Sequence, residues 1–182
     1  MVDRARLADP LAAAARLPAG AAVLLRDYDA LDRSQLAEDL ARLCRRRRLV
    51  FLVAGDARLA TAVGAGLHLP QGLVARALRR RGLVTAAAHD RPALVRAARA
   101  GADACLVSPV FPTASHPGAR TLGPVRFAGL VRQAPLPVYA LGGIDARTAR
   151  RLAGSGARGI AALGALSDPF PPSKIDAIRI RQ

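Results

Sequence analysis

The chain has 182 residues, 52% of them apolar, and a formal charge of +15. That length favours one domain over residues 1–182 with a sizeable core, and no apolar stretch reaches the ~18 residues of a membrane span, so no membrane partner is expected. The N-terminus lacks the basic-then-apolar order of an export signal, and Cys44 and Cys105 sit far apart in apolar contexts, as buried free thiols of a cytoplasmic protein do.

Taken in chain order, a helix is predicted at Pro10–Arg16, preceded only by the stub Met1-Val2-Asp3. Strands follow at Ala22–Leu25, Leu49–Ala54, Gly66–Leu69, Leu83–Ala87, Ala104–Val107, Val138–Leu141 and Gly159–Leu163. Helices fall between them at Ser34–Arg46, Ala57–Ala62, Leu73–Arg80, Pro92–Ala100, Val125–Arg132 and Ala146–Ala153. Pro92 and Pro124 suit a first helical turn, where a missing N–H is no loss. Gly64, Gly101 and Gly156 each follow a helical pattern, where glycine supplies the left-handed backbone that ends a helix. Pro169-Phe170-Pro171-Pro172 breaks any helix, and Lys174–Gln182 forms a short closing helix or frays.

The strands are continuously apolar, as in a parallel sheet covered on both faces. Alternation with a leading helix and seven strands predicts an α/β fold, a TIM (β/α)8-type barrel whose first strand is missing or truncated. No glycine-rich dinucleotide fingerprint follows the first strand, which disfavours an open doubly wound sheet. An uncovered edge beside Ala22–Leu25 would lower stability or favour a homo-oligomer.

The positive charge does not read as a nucleic-acid footprint. Its densest clusters, Arg45–Arg48 and Arg79–Arg81, fall at predicted helix C-termini, where the dipole favours cations. The chain has two tyrosines and no tryptophan, without the aromatic-basic interleaving of single-strand binders.

The stretch from Val107 to Gly123 carries the most chemical information. It leaves an apolar strand as a polar loop rich in Pro, Ser, Thr and Gly. The next strand opens into Gly142-Gly143. In a parallel α/β protein these loops share one sheet edge, where amides and hydroxyls can converge on an anion. Thr113, Ser115, Gly142 and Gly143 are therefore candidate phosphate-binding residues; they can equally cap their own turns or serve packing.

Ser108-Pro109-Val110-Phe111-Pro112-Thr113, with Ser115-His116 and Leu122-Gly123, and then Ala140-Leu141-Gly142-Gly143-Ile144, resemble the thiamine phosphate synthase and TenI superfamily of barrels. Gly66-Leu67-His68-Leu69-Pro70-Gln71 is similar to the family's Gly-Val-His-Leu-Gly-Gln, and Leu24-Leu25-Arg26-Asp27-Tyr28 to its Gln-Leu-Arg-Glu-Lys. The resemblance spans about Val23 to Leu166. It implies an enzyme of thiamine biosynthesis that joins an aminopyrimidine, carried as its pyrophosphate, to a thiazole phosphate. Ionisation of the pyrophosphate ester would give a carbocation that the thiazole nitrogen captures. The resemblance also implies Mg2+, because charge builds on the departing pyrophosphate.

Several positions depart from the family pattern. Its Asn-Asp pair aligns with Ala54-Gly55, with Asp56 one position late. Its second metal carboxylate aligns with Leu73, its pyrophosphate-contacting Ser with Ala87, and its loop Lys with His116. Leu24 and Tyr28 replace the Gln and Lys that flank the arginine. The implied Mg2+ ligand positions are thus lost, and no metal ligand is assigned. Pro109 stands where TenI tautomerases carry an acid-base His.

Arg26 and His116 remain as candidate catalytic residues. Arg26 can grip a phosphate bidentately or pair with Asp27 or Asp56. All three histidines, His68, His89 and His116, fall at strand C-termini or beyond, as acid-base groups, a metal cluster or hydrogen-bonded mouth residues. The readings left open are a synthase of weak or altered activity, a non-catalytic binder of a phosphorylated heterocycle, and a TenI-like isomerase or hydrolase.

Overall fold

Short aliphatic and β-branched runs separated by amphipathic segments bury best as a sheet wrapped in helices. The computed structural model describes residues 1–2, 7–28, 30–71, 82–113 and 118–162. Its strands are β1 (Ala22–Leu25), β2 (Val50–Ala54), β3 (Gly66–Leu69), β4 (Val84–Ala88), β5 (Ala104–Val107), β6 (Val138–Ala140) and β7 (Gly159–Ile160). All seven pair in parallel and in sequential order. The helices are α1 (Pro10–Ala15), α2 (Arg33–Arg47), α3 (Ala57–Ala62), α4 (Arg91–Arg99), α5 (Gly123–Arg132) and α6 (Ala146–Arg150). The helix expected at Leu73–Arg80 and the tail Lys174–Gln182 lie outside the described residues, as does Leu163, the last residue of the expected final strand.

The sheet curls as a TIM-type barrel, and among the described residues its first strand shows as one bridge, Val2 to Leu25. Val2 donates its amide to the Leu24 carbonyl at 2.7 Å and accepts the Arg26 amide at 3.0 Å. The Met1 nitrogen donates to the Ala162 carbonyl, just past β7, at 3.1 Å. The stub thus lies between the two ends of the sheet. The edge beside β1 is less open than the sequence implied, because Val2 occupies two of its backbone groups.

Helix ends follow local chemistry. Asp9, Asp56, Asp90 and Asp145 cap the N-termini of α1, α3, α4 and α6, each accepting backbone amides on its carboxylate. Each such cap stabilises its helix by about 1 kcal/mol. Gly64 and Gly101 follow α3 and α4 in the left-handed region, at φ 68° and 81°. Arg45, Arg46 and Arg47 occupy the last turn of α2, where the dipole favours them. Arg79–Arg81 lie outside the described residues.

Alternation along each strand separates two apolar clusters. Leu24, Leu52, Ala54, Ala104, Leu106 and Tyr139 pack together inside the barrel. Val23, Leu25, Val53, Val107 and their neighbours pack against the helices. Cys44 and Cys105 are buried and free in the helix-facing cluster, and burial pushes their thiols up to about 11 and about 12. Both therefore stay protonated and unreactive at neutral pH.

Candidate functional site

The register dictates what gathers at the C-terminal mouth. Leu24 pairs with Leu52, Ala54 with His68, His68 with Thr85, Ala87 with Leu106, and Leu106 with Tyr139. Side chains of one parity share one face of a sheet. Continuing that parity past the strand ends puts Arg26, Ala54, His68, Ala87, Ser108 and Leu141 around the mouth. One arc, near β1–β3, carries charge; the other, near β5 and β6, carries small residues and loops.

On the charged arc, Arg26 is partly buried and its Nη1 lies 4.0 Å from the Met1 sulfur. Its guanidinium carbon sits 5.9 Å from the centre of the Tyr28 ring, and that of Arg33 sits 5.5 Å from the same centre. Arg33 opens α2, and its Nη2 donates to the Ala54 carbonyl at 2.6 Å. Its Nη1 lies 3.5 Å from Asp56 Oδ2. The other Asp56 oxygen, Oδ1, accepts the Leu59 amide at 2.9 Å as the cap of α3. The sequence offered Arg26 a pairing with Asp27 or Asp56; the structure gives Asp56 to Arg33.

These contacts bear on the implied Mg2+. A hard cation needs several oxygen ligands at one point. Asp56 already commits one oxygen to a backbone amide and the other to a guanidinium. The carbonyl of Ala54 is taken by the same arginine, and the Ala54 side chain offers no donor atom. Among the described residues, no three His, Cys, Asp or Glu side chains converge on one point. The described residues at this end of the barrel do not fit a carboxylate-held magnesium ion.

The histidines go to separate tasks. His68 is buried inside the barrel, its Nδ1 2.9 Å from Thr85 Oγ1. Burial, with Arg26 nearby, pulls its pKa down to about 4. His89 is exposed and its Nδ1 donates to the Ser108 carbonyl, with Ser108 Oγ 3.5 Å away. His116 lies outside the described residues, as does Ser115. The two described histidines therefore do not share a ligand position.

The His68 environment predicts an acid response. An imidazole whose folded pKa lies below its unfolded value of about 6.5 binds fewer protons folded than unfolded. Stability is then full above pH 6.5 and falls as pH drops towards about 4, by up to about 3 kcal/mol. In denaturant titrations across that window, His68→Gln should lose less stability than the wild type. An equal loss would show that another group carries the response.

On the opposite arc, two loops lock together. Val110 and Phe111 donate their amides to the carbonyls of Leu141 and Gly142, at 2.9 and 3.0 Å. Gly142 and Gly143 both have positive φ, 91° and 64°. A Cβ at Gly142 would stand 2.8 Å from Pro109 Cα, and one at Gly143 would stand 2.8 Å from Phe111 Cβ. Both glycines therefore allow the β5 and β6 loops to touch. The Gly143 carbonyl accepts Thr148 Oγ1 at 2.9 Å, tying the turn to α6. Among the described residues, the amides of Gly142 and Gly143 donate to no carbonyl. Thr113 is partly buried and follows Pro112, whose carbonyl lies against Gly143.

Sequence reasoning missed Arg33 and the pairing of His68 with Thr85. Arg33 is one arginine among many, at the last position before an expected helix, and nothing in its spacing marks it. Thr85 could have been found, since adjacent parallel strands place one inward residue beside another.

A parallel sheet curled inside its helices, with loops gathered at the strand C-termini, defines the class of α/β-barrel proteins. The model of the thiamine monophosphate synthase family matches residues 3–166, and the chain belongs to that family. It is 39% identical over 176 residues to a thiamine-phosphate synthase of Chromobacterium violaceum, covering 92% of this chain and 84% of that one. It is 34% identical over 159 residues to a thiamine-phosphate synthase of Geobacillus kaustophilus, covering 81% and 70%. A solved structure, thiamine phosphate pyrophosphorylase from Pyrococcus furiosus, shares the fold with a TM-score of 0.73 at 22% identity, over 97% of this chain and 87% of that one.

Proposed function

We propose that this chain is a thiamine-phosphate-synthase-type transferase of low activity. The aminopyrimidine pyrophosphate would lie on the Arg26 arc and the thiazole phosphate on the loops of Thr113, Ser115, Gly142 and Gly143. The observation that supports the second assignment is the pair of consecutive amides at Gly142 and Gly143, held by the interlocked loops against Phe111 and Pro112, the residues before Thr113. Such amides suit a phosphate, and the glycines let it approach the backbone closely.

In this reading Arg26 stabilises the departing pyrophosphate. The apolar interior of Leu24, Leu52 and Leu106 keeps water from the carbocation that the ester leaves behind. The thiazole nitrogen then supplies the electron pair for the new bond. His68 is neutral at physiological pH, so it adds no charge against that cation. His116 is proposed as the second cation on the phosphates.

A second reading is favoured by the commitments of Asp56, both of whose oxygens are engaged elsewhere. Without a metal centre the chain would bind a phosphorylated heterocycle and not turn it over. Two measurements separate the readings. Thiamine phosphate formed from the two precursors above the uncatalysed rate supports the synthase; its absence with intact ligand binding supports the binder. In either case a thiazole phosphate at millimolar concentration should raise the thermal midpoint. Thr113→Val should weaken that protection, and no protection of the wild type would remove the phosphate assignment.

A further inference from the structure

Arg33 stands out once the mouth is assembled. Its guanidinium rests on the last carbonyl of β2, against a carboxylate and an aromatic ring. Its side chain is only 13% exposed, yet its Nε is buried without a hydrogen-bond partner. A buried, unpartnered N–H on a cation is costly, and proteins seldom keep one without another use for the group. Arg26, just past β1, approaches the same Tyr28 ring, so both cations border one aromatic side chain where β1 and β2 end. Asp56 offsets part of the Arg33 charge, and an anion reached by both guanidiniums would be attracted by each. The ring offers each guanidinium a flat face and fixes its plane.

We propose that Arg33 takes the place of a metal ion in this chain, forming with Arg26 and the Tyr28 ring a metal-independent site for a diphosphate-class anion. The assignment rests on the reading that this arc of the mouth receives a pyrophosphate ester. Arginine suits the task because its charge is permanent and each Nη, with one N–H directed at Ala54 or Asp56, carries a second for a phosphate oxygen. Asp56 then has a different role from a metal ligand. It caps α3 with one oxygen and steadies Arg33 with the other. Arg33 acts here as a binding residue.

The test is inorganic pyrophosphate binding to the whole protein by calorimetry, in a chelator and in millimolar magnesium. The wild type should bind in the chelator without needing the metal. Arg33→Gln should weaken binding tenfold or more, and Arg33→Lys should recover part of it. Arg42→Gln removes the same charge from the exposed side of α2, where Arg42 pairs with Glu38 and Asp39, and should change binding little. Circular dichroism and the thermal midpoint establish that each variant is folded. Should Arg33→Gln fail to fold, Asp56→Asn decides the matter, since Asn caps a helix about as well as Asp. Loss of a negative charge beside an anion should leave binding as tight as in the wild type or several-fold tighter. Binding that requires magnesium and disappears in Asp56→Asn overturns the proposal, as does indifference to Arg33→Gln; either leaves the pyrophosphate reading intact. A wild type that binds no pyrophosphate in either buffer overturns both.

Discussion

Purified protein given the two precursors is expected to form thiamine phosphate about 100-fold or more slowly than the Chromobacterium violaceum relative under the same conditions. The reaction loads charge onto a leaving pyrophosphate, and each well-placed polar group removed from that charge typically costs about 100-fold or more. On the β2 side, Ala54 and Gly55 present no polar side chain. At the end of β4, Ala87 presents a methyl group where a hydroxyl would serve. Asp56 is bound to its own helix and to Arg33. Losses within one site do not add, so the deficit should be smaller than the product of the single effects. Magnesium should change the rate little. A brisk, magnesium-dependent rate would show that β2 and β3 have been matched wrongly to the family pattern, and that Asp56 leaves Arg33 to hold the metal.

Replacing Gly143 by alanine should lower stability by about 2–4 kcal/mol, the sum of a left-handed backbone penalty and overpacking. The new methyl would press on Phe111 Cβ and on the Pro112 carbonyl, both in the neighbouring loop and not free to withdraw. For a chain of this size each kcal/mol shifts the thermal midpoint by roughly 2–4 °C, so a fall of about 5–15 °C is expected. Gly154→Ala makes the comparison sharp. Its φ is also positive, 76°, but a Cβ there meets nothing within 4 Å. It should cost only about 1 kcal/mol. Equal losses at the two sites would mean that backbone conformation alone, and not the contact between loops, sets the glycine requirement. Phosphate protection should fall with Gly143→Ala and not with Gly154→Ala.

The family pattern around Ser108–Thr113 and Ala140–Ile144 was legible because it is local. A strand that ends in Pro, Thr and paired glycines keeps that chemistry wherever the fold places it. The strand positions were legible for the same reason: Ala22–Leu25, Gly66–Leu69 and Ala104–Val107 are apolar runs too short for helices, bounded by Gly, Pro or charged residues. The lack of a full apolar run before Pro10 was legible in the sequence. The short bridge in its place was not. A single bridge at Val2 has no periodicity to read, and only closure of the sheet brings Met1 beside Ala162.

Residue order alone carried the succession of strands and helices, the parallel barrel class and the loops that could hold a phosphate. Those features depend on residue type and on spacing within one segment. The partners of the charged groups emerged with the folded barrel. Asp56 could have faced Arg26, a metal or its own helix, and its oxygens went to Leu59 and Arg33, residues 3 and 23 positions away. His68 could have been an acid-base group, and the barrel buried it against Thr85. An ion pair or a buried hydrogen bond is chosen by proximity in space and by loss of water. Neither quantity exists until the sheet has curled and brought distant strands to one mouth.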